Sequence, residues 1–235
     1  MRAKPRLRDF GPVDAPLYLL ARLLRRMPGS HSRLLKYTFW SQPVPVDRLM
    51  PRRASAVAIR VLDPGDPVLP QIPRDPGLIA ARLGNGDICL GAVRGDRLLA
   101  CMWIATGVYE EDEVRARFDP QPRGRAAWDY DIFVLPEQRG GLLFARLWDA
   151  AYELLRERGY RWSISRISSF NLASSAAQAR MGARPVGWGM FLILFNCQLM
   201  VSSIAPRLHF CLPGGRGPAL SLDARAGERG SEPSS

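Results

Sequence analysis

The run Val134-Leu135-Pro136-Glu137-Gln138-Arg139-Gly140-Gly141 constrains the fold more than any other stretch of the chain. Before it, Ala127 to Val134 is an aromatic and β-branched segment of strand character. Pro136 stops that strand, and the glycine pair allows a tight turn. After it, Leu143, Leu147, Ala150, Ala151, Leu154 and Leu155 recur on one helical face, until Gly159 closes the helix. A strand, a glycine turn and a long amphipathic helix in that order demand a sheet for the helix to cover.

The rest of the chain supplies that sheet. Ile88 to Val93 and Arg97 to Val108 predict a hairpin around Arg94-Gly95-Asp96, a triplet read as turn chemistry. Trp162 to Ile167 predicts a strand, Leu172 to Met181 a second helix ending at Gly182, and Val186 to Phe195 a further strand. Upstream, Val57 to Leu62 reads as a strand and Leu78 to Leu83 as a short helix; downstream, Leu199 to Leu212 reads as one more strand. The order hairpin, strand, helix, strand, helix, strand implies an α/β fold with a mixed central sheet flanked by helices.

Before residue 57 lies an N-terminal helical extension. Leu17, Leu20, Leu23 and Leu24 fall at helical spacing, opposed by Arg22, Arg25 and Arg26, and Pro28-Gly29-Ser30 ends the helix. A basic amphipathic helix either packs on its own domain or lies on a membrane surface, and packing is the expectation here. Leu34 to Pro43 follows as an aromatic-rich strand. From Gly214 onward the Gly, Pro, Ser and Arg content reads as a disordered tail. The expected organisation is an extension over 1–56, a core over 57–213 and a tail over 214–235.

The net charge is +11, nearly all of it arginine, because Lys4 and Lys36 are the only lysines. Such a surface favours anionic ligands. A basic nucleic-acid-binding protein is therefore one reading, but charge alone supports it and no binding motif accompanies it. Cys89, Cys101, Cys197 and Cys211 fall in no metal-ligand spacing, and His31 and His209 are the only histidines, so no metal site is expected. No apolar run is long enough to span a bilayer and no signal peptide is recognisable, which predicts a cytoplasmic protein.

The turn into the helix at Leu143 also carries the candidate chemistry. Free N–H groups of a first helical turn, with the helix dipole behind them, bind phosphate. Arg139 adds a guanidinium that can pair with phosphate oxygens. The loop Gln138 to Leu143, including Gly140, Gly141 and Leu142, is thus the predicted phosphate cradle.

Val134, Pro136, Arg139 and Gly140 match the V-x-P-x-x-R-G pattern of the GNAT N-acetyltransferase superfamily, and Asn171, Ser174, Gln178 and Gly182 resemble its C-terminal signature. Asp131-Ile132-Phe133-Val134 looks like the acidic-Leu-Phe-Val strand of several of its small-molecule acetyltransferases. The resemblance covers about Ile88 to Phe195 and implies a divergent member. Leu142 and Phe144 stand where the family's coenzyme loop carries small residues, Gln178 replaces the usual Tyr, and Ala183 the usual Phe.

The resemblance implies an acyl-CoA-dependent N-acyltransferase, with acetyl-CoA as donor. A small amine, an amino sugar or a protein N-terminus would be the acceptor. Asn171 joins the coenzyme-binding set, and the strands Ala127 to Val134 and Trp162 to Ile167 part to admit the pantetheine arm. A backbone N–H near Phe133 or Val134 polarises the thioester carbonyl, and a carboxylate takes the acceptor's proton. Strand alternation puts Asp129, Asp131 and Phe133 on one face, with Asp131 nearest the loop. Asp131 is the first base candidate, Asp129 the second and Glu111 the third. The alternative is a GNAT-like domain that binds coenzyme or a partner without efficient transfer.

Overall fold

A computed structural model describes residues 7–26, 32–51 and 55–229. The expected helix stop at 28–30 and the stretch 230–235 lie outside the described residues. The fold is mixed α/β, and the chain divides into two compact units.

One unit comprises Pro43–Gly107 and Gly124–Ser163. Its strands are β2 (Ala58–Val61), β3 (Ile88–Arg94), β4 (Arg97–Ala105) and β7 (Ala126–Val134); they pair antiparallel in the order β7-β4-β3-β2. Two helices belong to it, α2 (Pro76–Gly84) and α3 (Leu143–Glu157). The periodicity read from sequence is what α3 buries: Leu143, Leu147, Trp148, Ala151, Tyr152 and Leu155 are inside, and the helix packs against β2, β3 and β4. Each such side chain contributes about 1.5–3 kcal/mol relative to exposure. Asp149, also buried, accepts hydrogen bonds from the Leu49 and Met50 N–H groups at 2.6 and 3.1 Å, which ties an irregular segment to the helix.

The other unit comprises Met1–Gln42, Val108–Arg123 and Ile164–Ser235. It contains α1 (Asp14–Leu24), most of β1 (Arg33–Pro43), β5 (Tyr109–Glu110), β6 (Arg117–Gln121) and most of β8 (Trp162–Ser168). Then follow α4 (Leu172–Arg180), β9 (Arg184–Leu194), β10 (Cys197–Ser202), β11 (Leu208–Cys211), β12 (Ala219–Asp223) and α5 (Ala226–Arg229). Strands β11, β10, β9 and β1 form an antiparallel run. The N-terminal helix packs through Ala21 and Leu24 on Leu34, Met190 and Leu192 of β1 and β9.

Two sequence expectations fail in this unit. Leu199 to Leu212 is not one strand but the hairpin β10–β11, because Ser202 to Arg207 forms a turn closed by the Ser202 N–H on the Arg207 carbonyl. The segment after Gly214 is not a disordered tail over its described part. Strand β12 pairs in parallel with β6, and Leu220 and Leu222 alternate into the core at 0% exposure. Composition misled here because the glycine serves close packing rather than freedom. A Cβ on Gly217 would lie 1.8 Å from the Arg115 carbonyl oxygen, beside the bond from the Arg117 N–H to the Pro218 carbonyl.

Leu222→Ala should therefore lower unfolding stability by about 2–5 kcal/mol in urea titration, and Gly217→Ala should destabilise although it adds only a methyl. Truncation after Pro213 with an unchanged midpoint would refute this assignment.

Candidate functional site

Strand β7 carries an irregularity that pattern reading missed. Its register against β4 runs Trp128↔Ala105, Asp129↔Ile104 and Tyr130↔Trp103, then resumes at Phe133↔Cys101 and Val134↔Ala100. Two β7 residues, Asp131 and Ile132, thus stand where the partner strand offers Met102 alone. Asp131 takes φ 48°, a left-handed conformation that aspartate tolerates better than most residues. This is a β-bulge, and it reverses the alternation downstream.

The bulge separates the two candidate carboxylates. Tyr130 lies opposite Trp103, and the Arg82 guanidinium carbon sits 4.8 Å from the Tyr130 ring centre and 5.3 Å from that of Trp103. Asp131 reaches the same guanidinium, accepting from Arg82 Nη1 at 2.6 Å. It therefore joins Tyr130 on the face opposite Asp129, contrary to the simple alternation expected. Phe133, opposite Cys101, shares the Tyr130 face, and Val134 the Asp129 face.

Arg74 completes the clamp on Asp131, donating from Nε at 2.8 Å and from Nη2 to the other carboxylate oxygen. Burial pushes the Asp131 carboxyl up, but hydrogen bonds and charge from Arg74 and Arg82 outweigh it and hold it below the usual carboxylate range. A carboxylate so held is a weak proton acceptor at neutral pH. Nearby, the Tyr130 hydroxyl donates to Asp87 at 2.6 Å, and burial raises the Asp87 carboxyl.

Asp129 is buried and accepts from the Ser163 hydroxyl at 2.6 Å. Glu111 belongs to the other unit, where Arg166 grips it with two bonds of 2.5 Å. Burial raises the Glu111 carboxyl, and the hydrogen bonds and charge of Arg166 oppose that only in part. Arg166 also lies 4.4 Å from the Tyr37 ring centre, and the Tyr37 hydroxyl donates to Glu113 at 2.7 Å.

The loop expected to cradle phosphate joins β7 to α3. Pro136–Gln138 forms a short 3-10 turn, Arg139 is extended, and Gly140 takes φ 82°, which a side chain would strain. Helix α3 then starts at Leu143 with no side chain capping its first N–H groups. Arg139 donates from Nε to the Val134 carbonyl at 3.0 Å, which anchors it across the turn. Leu143 is buried and offers the site only its backbone, whereas Leu142 is exposed.

Asn171 caps α4, accepting from the Ser174 N–H at 3.2 Å. Gln178, where the family has Tyr, is buried with its Oε1 lacking a hydrogen-bond partner among the described residues. Arg74, Arg82, Arg166 and Tyr37 were not singled out from sequence. One signal was present: Arg82 follows Ile79 by three residues on the buried stripe of α2, where an arginine needs a partner. Among the described residues no group of His, Cys, Asp or Glu is placed to hold a metal ion, and no helix is long and apolar enough to cross a membrane.

No family model matches the sequence, and no curated protein matches it. Among solved structures the chain is similar to a tandem GNAT protein of the clavulanic acid biosynthesis pathway. That likeness has 16% identity and a TM-score of 0.47 and covers 74% of this chain and 55% of that one. The chain thus spans little more than half of that protein's length. It is also similar to an acetyltransferase of Trypanosoma brucei, with 18% identity, 54% and 91% coverage and a TM-score of 0.40. An aminoglycoside acetyltransferase from an uncultured soil metagenomic sample shows 13% identity, 53% and 86% coverage and a TM-score of 0.40.

The Asp131 clamp predicts a pH signature. A depressed carboxyl contributes stability that is complete above the unfolded pKa near ~4 and is lost as pH falls through the folded value. Asp131→Asn should flatten the acid side of the stability profile below about pH 4. At neutral pH it should cost about 1.5–3 kcal/mol, because Arg82 and Arg74 lose a charged acceptor. Denaturant midpoints measured from pH 3 to 7 check both parts.

Proposed function

We propose that the chain is an acyl-CoA-dependent N-acyltransferase, with acetyl-CoA as donor and an amine-bearing acceptor: a small amine, an amino sugar or a protein N-terminus. The single observation that carries this reading is the junction from Val134 to Leu143. There a strand ends in a turn through Gly140, Arg139 is pinned across it, and α3 begins uncapped. Those features suit a pyrophosphate, and they fall on the residues that resemble the GNAT coenzyme loop.

In this mechanism the N–H groups of Gly140 to Leu143 and the Arg139 guanidinium hold the pyrophosphate. A β7 backbone N–H near Phe133 or Val134 donates to the thioester carbonyl, stabilising the oxyanion as the amine attacks. The amine's proton passes to a carboxylate, directly or through water, and the thiolate of coenzyme A departs and is protonated. Asp131, neutralised by two arginines, acts here as a positioning residue that fixes the bulge. The base is sought at Asp129, and Asp129→Asn is the decisive variant.

A second reading, coenzyme binding without efficient transfer, draws on Gln178 in place of a Tyr acid and on Leu142 and Phe144 in the loop.

Acetyl-CoA should raise the melting temperature in proportion to the logarithm of its concentration. Arg139→Ala should weaken that affinity about tenfold or more. No shift at millimolar acetyl-CoA removes both readings. Free CoA release over a library of amines then separates them, and the variant lacking the base should turn over about 10²–10⁴-fold more slowly with its coenzyme affinity kept.

A further inference from the structure

The two units differ sharply in charge. The unit containing α1 carries nineteen basic and ten acidic residues, a net +9 of the chain's +11; the other carries fourteen and twelve. Within the first 36 residues nine are basic and two acidic. In sequence this charge flanks a helix that is apolar on more than its packed side.

Helix α1 buries Ala21 and Leu24, with Leu17 half-buried beside them. One flank turns toward β1 and α4: Asp14 pairs with Lys36 of β1, and Tyr18 touches Phe170, just before α4. At 100° per residue the opposite flank holds Leu20 and Leu23, exposed by 41% and 62%. That flank faces the β10–β11 side of the sheet.

The sheet there is bare. Leu34, Leu192, Leu199 and Phe210 stand in one cross-strand row and Lys36, Met190, Val201 and Leu208 in the next. Helix α1 covers the β1 and β9 ends of these rows. Their far ends remain in solvent, with Leu208 and Phe210 exposed by 66% and 59%. Beyond them Phe195 occupies the tip of the β9–β10 hairpin at φ 49°, 85% exposed. The apolar flank of α1 and the uncovered face of β10–β11 thus form one contiguous surface, larger than the scattered apolar residues a soluble monomer tolerates.

We propose that this surface docks the protein on an anionic lipid membrane, with Leu20, Leu23, Leu208 and Phe210 entering the interface and the exposed Arg26 and Arg207 at the headgroups. Charge complementarity selects this occupant. A second copy of the chain would bring together two units of net +9, whereas acidic lipid attracts that charge. Docking is peripheral, and it is independent of acyl transfer.

Co-sedimentation of the full chain with vesicles tests it. Vesicles of phosphatidylcholine containing about a third phosphatidylglycerol should retain at least about tenfold more protein than phosphatidylcholine alone, and salt of about 0.5 M should reduce the difference by screening. Leu23→Glu with Phe210→Glu should abolish retention at an unchanged melting temperature. Arg26→Gln with Arg207→Gln, both exposed positions, should reduce binding to the anionic vesicles only. Equal retention on the two vesicle types, or none on either, overturns the proposal. So does a concentration-dependent dimer in sedimentation equilibrium that Phe210→Glu dissociates while vesicles bind nothing, which would assign the surface to a second copy.

Discussion

A buried guanidinium lying over two aromatic rings needs a counter-charge, and the unit that carries the junction from Val134 to Leu143 is built around meeting that need. Arg82 has its charge over Tyr130 and Trp103 and its hydrogen bond on Asp131. To bring a carboxylate to that face, β7 must break its alternation, and the bulge at Asp131 does so. Removing Asp131 would take a charged acceptor from both Arg82 and Arg74. The pair therefore fixes the bulge, and the bulge sets the direction of the residues that lead to Pro136 and the glycine turn.

The same arrangement explains what could be read in advance. The junction from Val134 through α3 was legible because its determinants are local: proline, glycine and a 3.6-residue period act within a few residues of one another. The helix face Leu143, Leu147, Ala151 and Leu155 is buried as its spacing demands. The bulge was not legible, because Asp-Tyr-Asp-Ile-Phe alternates acceptably as a flat strand and its distortion depends on Arg82, 49 residues away. Asp131 consequently drew attention as a base, when its two partners make it a poor one. Glu111 was ranked last for its place at a strand end, yet it is buried and gripped by Arg166 across 55 residues of sequence. Ion pairs of that separation leave no periodic trace.

Charge offers a parallel case. A net +11 reads from sequence as one diffuse property, with an arginine-rich composition sufficient to account for it. Folding sorts it, concentrating nearly all the excess in one unit and leaving the other almost balanced. The proposed phosphate cradle lies in the near-neutral unit, so under that proposal it would rest on oriented N–H groups and one arginine rather than on a general positive field.

Pairing β12 with β6 has a consequence for how the chain matures. Arg117 finds its neighbour at Ala219, 102 residues later, so β6, which pairs with β5 along one edge, keeps its other edge open until a further hundred residues have been made. Closing a loop of that length is entropically expensive and slow compared with forming the β3–β4 hairpin, whose strands meet across two residues. During that interval Phe118, which is wholly enclosed in the finished molecule, lacks the cover of Leu220, its neighbour on β12. The β6–β12 pairing should thus form late and the β3–β4 hairpin early.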